Sequence, residues 1–229
     1  MSVHPNSLAR TPIVPVHRFN TVLDDTARRH YRPVIDMMFA VVPDMMRRKI
    51  FTANVQQAFV LAATLQLTPS PERAKVLCVG SYEDTACETL LAMGYDVEGI
   101  DPNVNGQDLS GFLRAHPSAP GTYTTIFSTS VIEHVPDDEG FARDIASLLA
   151  PGGVAVLTCD YRDSWQPGEP LPPTDERFYR SVDLRSRSSP LAVGCAFIDD
   201  PDWERFAPDF NYGTCSYSFA SLCLRKSAP

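Results

Sequence analysis

The residues of this chain that are equipped for chemistry lie between Gly80 and His134. An apolar run, Lys75 to Val79, opens into Gly80-Ser81-Tyr82-Glu83-Asp84, and a second run, Tyr95 to Ile100, ends at Asp101-Pro102, 21 positions beyond the glycine. In an open parallel sheet the ligand crevice lies at the carboxyl ends of the strands, and an acidic side chain at this distance can accept hydrogen bonds from both hydroxyls of a ribose. The same residue before a proline can also serve a plain turn. A third run, Thr124 to Thr129, leads to Ser130-Val131-Ile132-Glu133-His134-Val135-Pro136. Imidazole titrates near neutrality, so His134 suits proton transfer, although a polar pair at a strand exit can equally bond the fold together. The incomplete glycine loop can also be read as a nicotinamide-nucleotide site, but nothing resembles a second catalytic domain for hydride transfer. The chain has no G-x-S-x-G elbow, P-loop, H-E-x-x-H or Cys/His zinc spacing, and no metal is expected.

Alternating strands and helices must position these residues. Thr85-Ala86-Cys87-Glu88 has the form of a capping box opening a helix that stops at Gly94. Asp137-Asp138-Glu139 opens another, with Phe141, Ile145, Leu148 and Leu149 on its apolar face. Pro151-Gly152-Gly153 then turns the chain into a strand over Val154 to Cys159. Strands separated by helices imply a parallel sheet with right-handed crossovers. Ala196 to Asp199 and Ser216 to Leu224 form an expected terminal antiparallel pair, with Trp203, Phe206, Phe210 and Tyr212 packing on the core or sheet edge. The loop from Asp160 to Ser181, carrying Tyr161, Trp165, Arg177 and Tyr179, reads either as a lid on the site or as a rigid surface loop. Upstream, residues 1–20 form a proline-punctuated arm, and Val22 to Leu67 is helical with a break at Pro43. In this stretch Met37-Met38 and Met45-Met46 read as core packing.

Composition narrows the function class. The 229 residues are 44% apolar with a net charge of −8, a balance opposed to gripping phosphate backbones, so no nucleic-acid partner is expected. Twenty prolines against twelve glycines imply many fixed turns and a modest glycine loop. No apolar run approaches the ~20 residues that span a bilayer, and the first 20 residues lack a signal-peptide core. Six cysteines without C-x-x-C spacing read as reduced core residues of a cytoplasmic protein.

From about Ala74 to Tyr161 the chain resembles the class I S-adenosylmethionine-dependent methyltransferases. The resemblance rests on five pieces in order: Val76-Leu77-Cys78-Val79-Gly80-Ser81, Val97-Glu98-Gly99-Ile100-Asp101, Gln107-Asp108-Leu109, Ser130-Val131-Ile132-Glu133-His134-Val135-Pro136 and Leu148-Leu149-Ala150-Pro151-Gly152-Gly153. It implies an α/β fold: a Rossmann-like, seven-stranded, mostly parallel sheet over residues 73–226, with residues 1–72 as arm and helical cap. It implies S-adenosylmethionine as cofactor. Gly80, Ser81, Tyr82 and Glu83 would lie near its methionine part, Asp101 and Pro102 at the ribose, Asp108 and Leu109 beside the adenine, and Thr129 and Ser130 at the methionine end. His134 would be the catalytic candidate. Some relatives use the Glu-His pair as metal ligands with a further carboxylate where this chain has Ser130. The family usually has an acid at Cys78 and glycines at Tyr82 and Asp84, and Glu83 or Asp84 could take over the acid's contact with the cofactor's ammonium. The implied reaction is methyl transfer to an oxygen, less readily a nitrogen, of a small molecule or glycan by an enzyme that could be a homodimer. A domain that has lost catalysis and serves as a binding partner is the alternative.

Overall fold

The structure is a computed structural model that describes residues 14–68, 70–188, 194–205 and 207–228. Most of the expected arm (1–13) and Phe206 therefore lie outside the described residues.

The described strands are β1 (Val22–Leu23), β2 (Val76–Val79), β3 (Val97–Ile100), β4 (Tyr123–Thr129), β5 (Leu149–Tyr161), β6 (Cys195–Phe197), β7 (Phe210–Tyr212) and β8 (Cys215–Lys226). The helices that matter here are α1 (Asp25–His30), α2 (Arg32–Val41), α3 (Pro43–Arg48), α4 (Asn54–Leu67), α5 (Thr85–Ala92), α6 (Leu109–Ala115) and α7 (Asp138–Leu148). A parallel block with the expected terminal antiparallel pair is present in a sheet that is mixed as a whole, with one described strand more than expected. β3, β2, β4 and β5 run parallel, β8 lies antiparallel to β5, and β1, β6 and β7 each pair antiparallel with β8. The outer edge of β8 is thus covered piecewise, by β7 at Cys215–Tyr217, β1 at Phe219–Ala220 and β6 at Leu224–Lys226.

Alternation along the strands divides the core between the two faces. Val76 and Cys78 face a cluster with the cap helices and α5, whereas Leu77 and Val79 face one with α6 and α7. The expected cap is helical and breaks at Pro43, which opens α3. Its last helix, α4, is buried over most of its surface because it lies between the sheet face and the rest of the cap, and Val55, Ala58, Phe59, Val60, Leu61 and Ala62 are all fully enclosed. Met38 and Met46 are core residues, and all six cysteines are free thiols. No described helix is long and apolar enough to cross a membrane.

Local chemistry shifted two boundaries. α5 is capped by Asp84, whose carboxylate accepts from the Cys87 N–H at 2.7 Å, so Thr85 is the first helical residue and not the cap. Leu149 belongs to β5, not to α7, since it pairs with Tyr123 of β4. The strand starts early because Gly153 lets it run against β4: a Cβ there would lie 2.9 Å from the carbonyl oxygens of Tyr123 and Ala150.

Candidate functional site

The carboxyl ends of β2, β3 and β4 and the amino end of α4 enclose a cleft of about 1000 Å³. Every residue expected at the site lines it except Ser81, whose side chain turns toward Gly99 and away from the cleft. The cleft's volume is at the upper end of the range of small-molecule sites.

Gly80 leaves β2 with φ +85°, and a Cβ on it would lie 2.3 Å from Val131 Cγ2. Only glycine lets the first loop approach the exit of β4 so closely. Asp101, buried at the end of β3, accepts from the Tyr82 N–H at 3.2 Å and the Asn103 N–H at 2.7 Å. Each oxygen has one backbone donor and a lone pair left over, so the carboxylate is fixed and still able to accept from a ribose. The second of these bonds is the Asx-type turn that the sequence also allowed. Asp108 caps α6 through the Gly111 N–H at 2.6 Å, while Leu109 gives the same wall an apolar surface. Glu83 has φ +51°, and its carboxylate meets Arg48 at 2.8 Å and Lys49 at 3.8 Å across the mouth of the cleft. Asp84 is buried in its cap, and burial raises its carboxyl above the usual range.

On the opposite side Ser130, also with φ +51°, donates from its hydroxyl to Gln56 Oε1 at 2.8 Å. Left-handed backbone at a residue with a side chain costs of order 1 kcal/mol, and it recurs where a site fixes its geometry. The neighbouring Gln57 Oε1 accepts from the Thr85 hydroxyl at 3.2 Å and the Ala86 N–H at 3.0 Å. Asn54 completes the row. It is 1% exposed, lines the cleft, and neither atom of its amide has a partner among the described residues. A buried amide left unpaired costs roughly 1–3 kcal/mol. Sequence reading passed over Asn54, Gln56 and Gln57. The available signal was three polar residues opening a helix whose next six residues, Ala58 to Ala63, are all apolar.

His134 ends a 3-10 turn (Ile132–His134) on the cleft wall, with its side chain 38% exposed. Its Nδ1 lies 3.1 Å from Asp175 Oδ1 and 3.1 Å from the Thr174 carbonyl oxygen. The Asp175 carboxylate is 2% exposed, and its bond holds His134 protonated up to about 9. At neutral pH the ring is therefore a donor and not a base. Behind it lie Glu133, Asp160 and Asp175. Burial pushes Glu133 up to about 7, and burial followed by repulsion from Glu133 and Asp175 raises Asp160 well above the carboxylate range. Glu133 Oε1 accepts from the Asp160 N–H at 3.1 Å, while Glu133 Oε2 and Asp175 Oδ2 have no partner among the described residues.

The loop after β5 behaves as a strap, not as a lid. None of residues 160–181 lines the cleft. The Glu176 N–H bonds the Glu133 carbonyl at 2.9 Å, Arg177 bonds the Pro136 carbonyl and pairs with Asp138, and the Tyr179 hydroxyl bonds Asp138 at 2.7 Å. Trp203 is fully enclosed, and its indole N–H donates to the Ser221 carbonyl at 2.9 Å, as expected of core packing.

A parallel sheet with a glycine turn after its first parallel strand, an acid closing the next and a ligand-sized cleft across both is the arrangement of Rossmann-like nucleotide binders. Residues 50–192 match the family model of a methyltransferase domain, and the chain belongs to that family, the class I S-adenosylmethionine-dependent methyltransferases. Solved structures share the fold at low identity. One is the [4+2]-cyclase SpnF (TM-score 0.57, 12% identity, 87% of this chain and 97% of that one). A putative sarcosine dimethylglycine methyltransferase from Galdieria sulphuraria matches with TM-score 0.53 and 14% identity over 90% of this chain and 99% of that one. The 1,6-didemethyltoxoflavin-N1-methyltransferase of Burkholderia thailandensis, solved with 1,6-didemethyltoxoflavin and S-adenosylhomocysteine, matches with TM-score 0.53 and 17% identity over 87% and 90%. The residues present fit the cofactor of this class: a buried carboxylate with spare lone pairs, an apolar wall at Leu109 and unpaired amide atoms at Asn54.

Proposed function

We propose that this chain methylates an oxygen of a small molecule, with the methyl donor held along Gly80, Asp101 and Asp108 and the acceptor held between Ser130 and His134. The observation carrying this reading is the convergence of these residues on one cleft, with Asp101 fixed at the end of β3. S-adenosylmethionine supplies a methyl group already activated on a sulfonium, so proximity and in-line alignment provide most of the catalysis. Asp101 accepts from the ribose, Leu109 packs beside the base, and Thr129 and Ser130 border the methionine end. Glu83, already paired with Arg48 and Lys49, ties the cap to the first loop. His134 is the residue that touches the acceptor. Held as a cation by Asp175, it donates a hydrogen bond to a polar group beside the accepting atom. That supports an acceptor whose oxygen is already ionised, a carboxylate or an acidic hydroxyl, over a sugar hydroxyl that must lose its proton to a base.

Titrating the protein with S-adenosylmethionine by calorimetry, then following transfer of a labelled methyl group to panels of carboxylic acids, phenols and sugars, tests the reading. Absence of cofactor binding removes it. A domain that binds a partner without catalysis is the second reading, favoured by Tyr82 and Asp84 at positions where the family's loop has glycines. Cofactor binding without transfer to any acceptor supports it.

A further inference from the structure

β3 ends the sheet on one side, and among the described residues β2 is its one partner. Its Ile100 carbonyl points inward, where it accepts from the Gly80 and Ser81 N–H groups at 2.8 and 3.2 Å. Backbone groups alternate in direction along a strand, so the Gly99 carbonyl and the Asp101 N–H point outward, where no strand meets them. The side chain of Asn105 meets both. Its Nδ2 donates to the Gly99 carbonyl at 3.0 Å, and its Oδ1 accepts from the Asp101 N–H at 3.1 Å. One partner can only accept and the other can only donate, so the orientation of this amide is fixed. The Asn105 N–H also donates to the Asp101 carbonyl at 3.0 Å, closing the turn that follows the strand. Within that turn lies the Asn103 N–H that bonds the Asp101 carboxylate. Asn105 itself is exposed and does not line the cleft.

We propose that Asn105 is a positioning residue for Asp101: its amide stands in for a neighbouring strand and holds the end of β3 so that the carboxylate faces the ribose. The glycine loop grips the strand end from within the sheet, and Asn105 grips it from outside. Because Asn105 reaches no part of the cleft, it acts on a ligand through Asp101 alone. The inference rests on the methyl-donor reading, in which Asp101 accepts from the ribose hydroxyls.

Calorimetry with S-adenosylhomocysteine and with its 2′,3′-dideoxy analogue, which lacks the ribose hydroxyls, tests this on Asn105→Ala and Asp101→Ala. Asn105→Ala is expected to weaken S-adenosylhomocysteine about fivefold, the scale of one or two hydrogen bonds, and to leave the dideoxy analogue unchanged. In the ligand-free protein the Asp101 amide should exchange with solvent roughly tenfold faster in Asn105→Ala, while the amides of β2 exchange as before. The proposal is overturned if Asp101→Ala weakens S-adenosylhomocysteine and Asn105→Ala does not. Equal losses for the two ligands in Asn105→Ala also overturn it, since Asn105 then supports only the fold. Unchanged affinity in Asp101→Ala overturns instead the ribose reading beneath it. If S-adenosylhomocysteine does not bind the wild type, the methyl-donor reading falls, and Asp101 amide exchange alone decides whether Asn105 fixes the strand end.

Discussion

Two sets of carboxylates, one on the cleft wall and one behind His134, are held by opposite means. Asp101 and Asp108 sit at the ends of local turns, where backbone N–H groups from Tyr82, Asn103 and Gly111 bond them. Glu133, Asp160 and Asp175 come from three separate segments and lie together, and Glu133 Oε2 and Asp175 Oδ2 have no partner among the described residues. The first set is anchored on the cleft wall by backbone donors. In the second, burial raises Glu133 and Asp160, and the neighbour that lines the cleft is His134, held protonated up to about 9 through Asp175. The Asp101 side of the cleft is therefore built from local backbone chemistry, and the side behind His134 from long-range electrostatics.

The contrast can be broken at several points. The largest effect is expected from Gly80→Ala, which adds a clash with Val131 to a φ of +85° and should lower unfolding free energy by about 2–4 kcal/mol in urea. Adding Val131→Ala should recover only the steric part. Asp101→Ala should weaken S-adenosylmethionine at least tenfold, about 1.4 kcal/mol, by calorimetry; unchanged affinity would remove Asp101 from the ribose. On the other side Glu133→Gln probes linkage. Its carboxyl is raised from ~4.3 in an unfolded chain to about 7 in the fold. The stability it contributes is whole below pH ~4.3 and is lost as pH rises through 7. Urea titrations at pH 5 and pH 8 should show the variant gaining on the wild type at the higher pH, by of order 1 kcal/mol. Asp175→Asn should bring the His134 pKa, read by NMR, down from about 9 toward 6.5 without changing cofactor affinity. A value near 6.5 in the wild type would refute the donor role. The smallest effect belongs to Arg48→Ala, which cuts a largely exposed pair with Glu83 and should cost less than about 1 kcal/mol in stability.

The side that carries Gly80 and Asp101 was largely legible because its signals are local. Strand ends, Gly80 and Asp101 follow from short-range patterns, Asp108 was implied by the family resemblance, and the structure brings them to one cleft. The surroundings of His134 were not. That Asp175 faces His134 across 41 residues, or that Glu133 meets Asp160, leaves no periodic trace in the sequence. The same holds for β1, two residues long and paired with a strand nearly 200 positions away. Asp84 was misassigned because a threonine followed three residues later by a glutamate imitates a capping box, whereas the aspartate one place earlier has the better geometry. The amides of α4 were hidden by the uniform burial of their helix, which carries no polar face to mark where it meets the site.

The piecewise covering of β8 sets an order of assembly. The last long strand pairs with β5 along one edge and with β1, β6 and β7 along the other, and the Thr21 carbonyl takes a hydrogen bond from Ser221. Every one of those partners precedes β8 in the chain, so none can be sealed until the final dozen paired residues have been made. During synthesis the parallel strands must wait with β5 exposed, a slow, high-separation closure of the kind that leaves an edge open to other chains. Once β8 docks, the beginning and end of the described chain are joined in one motion, and that edge ceases to exist.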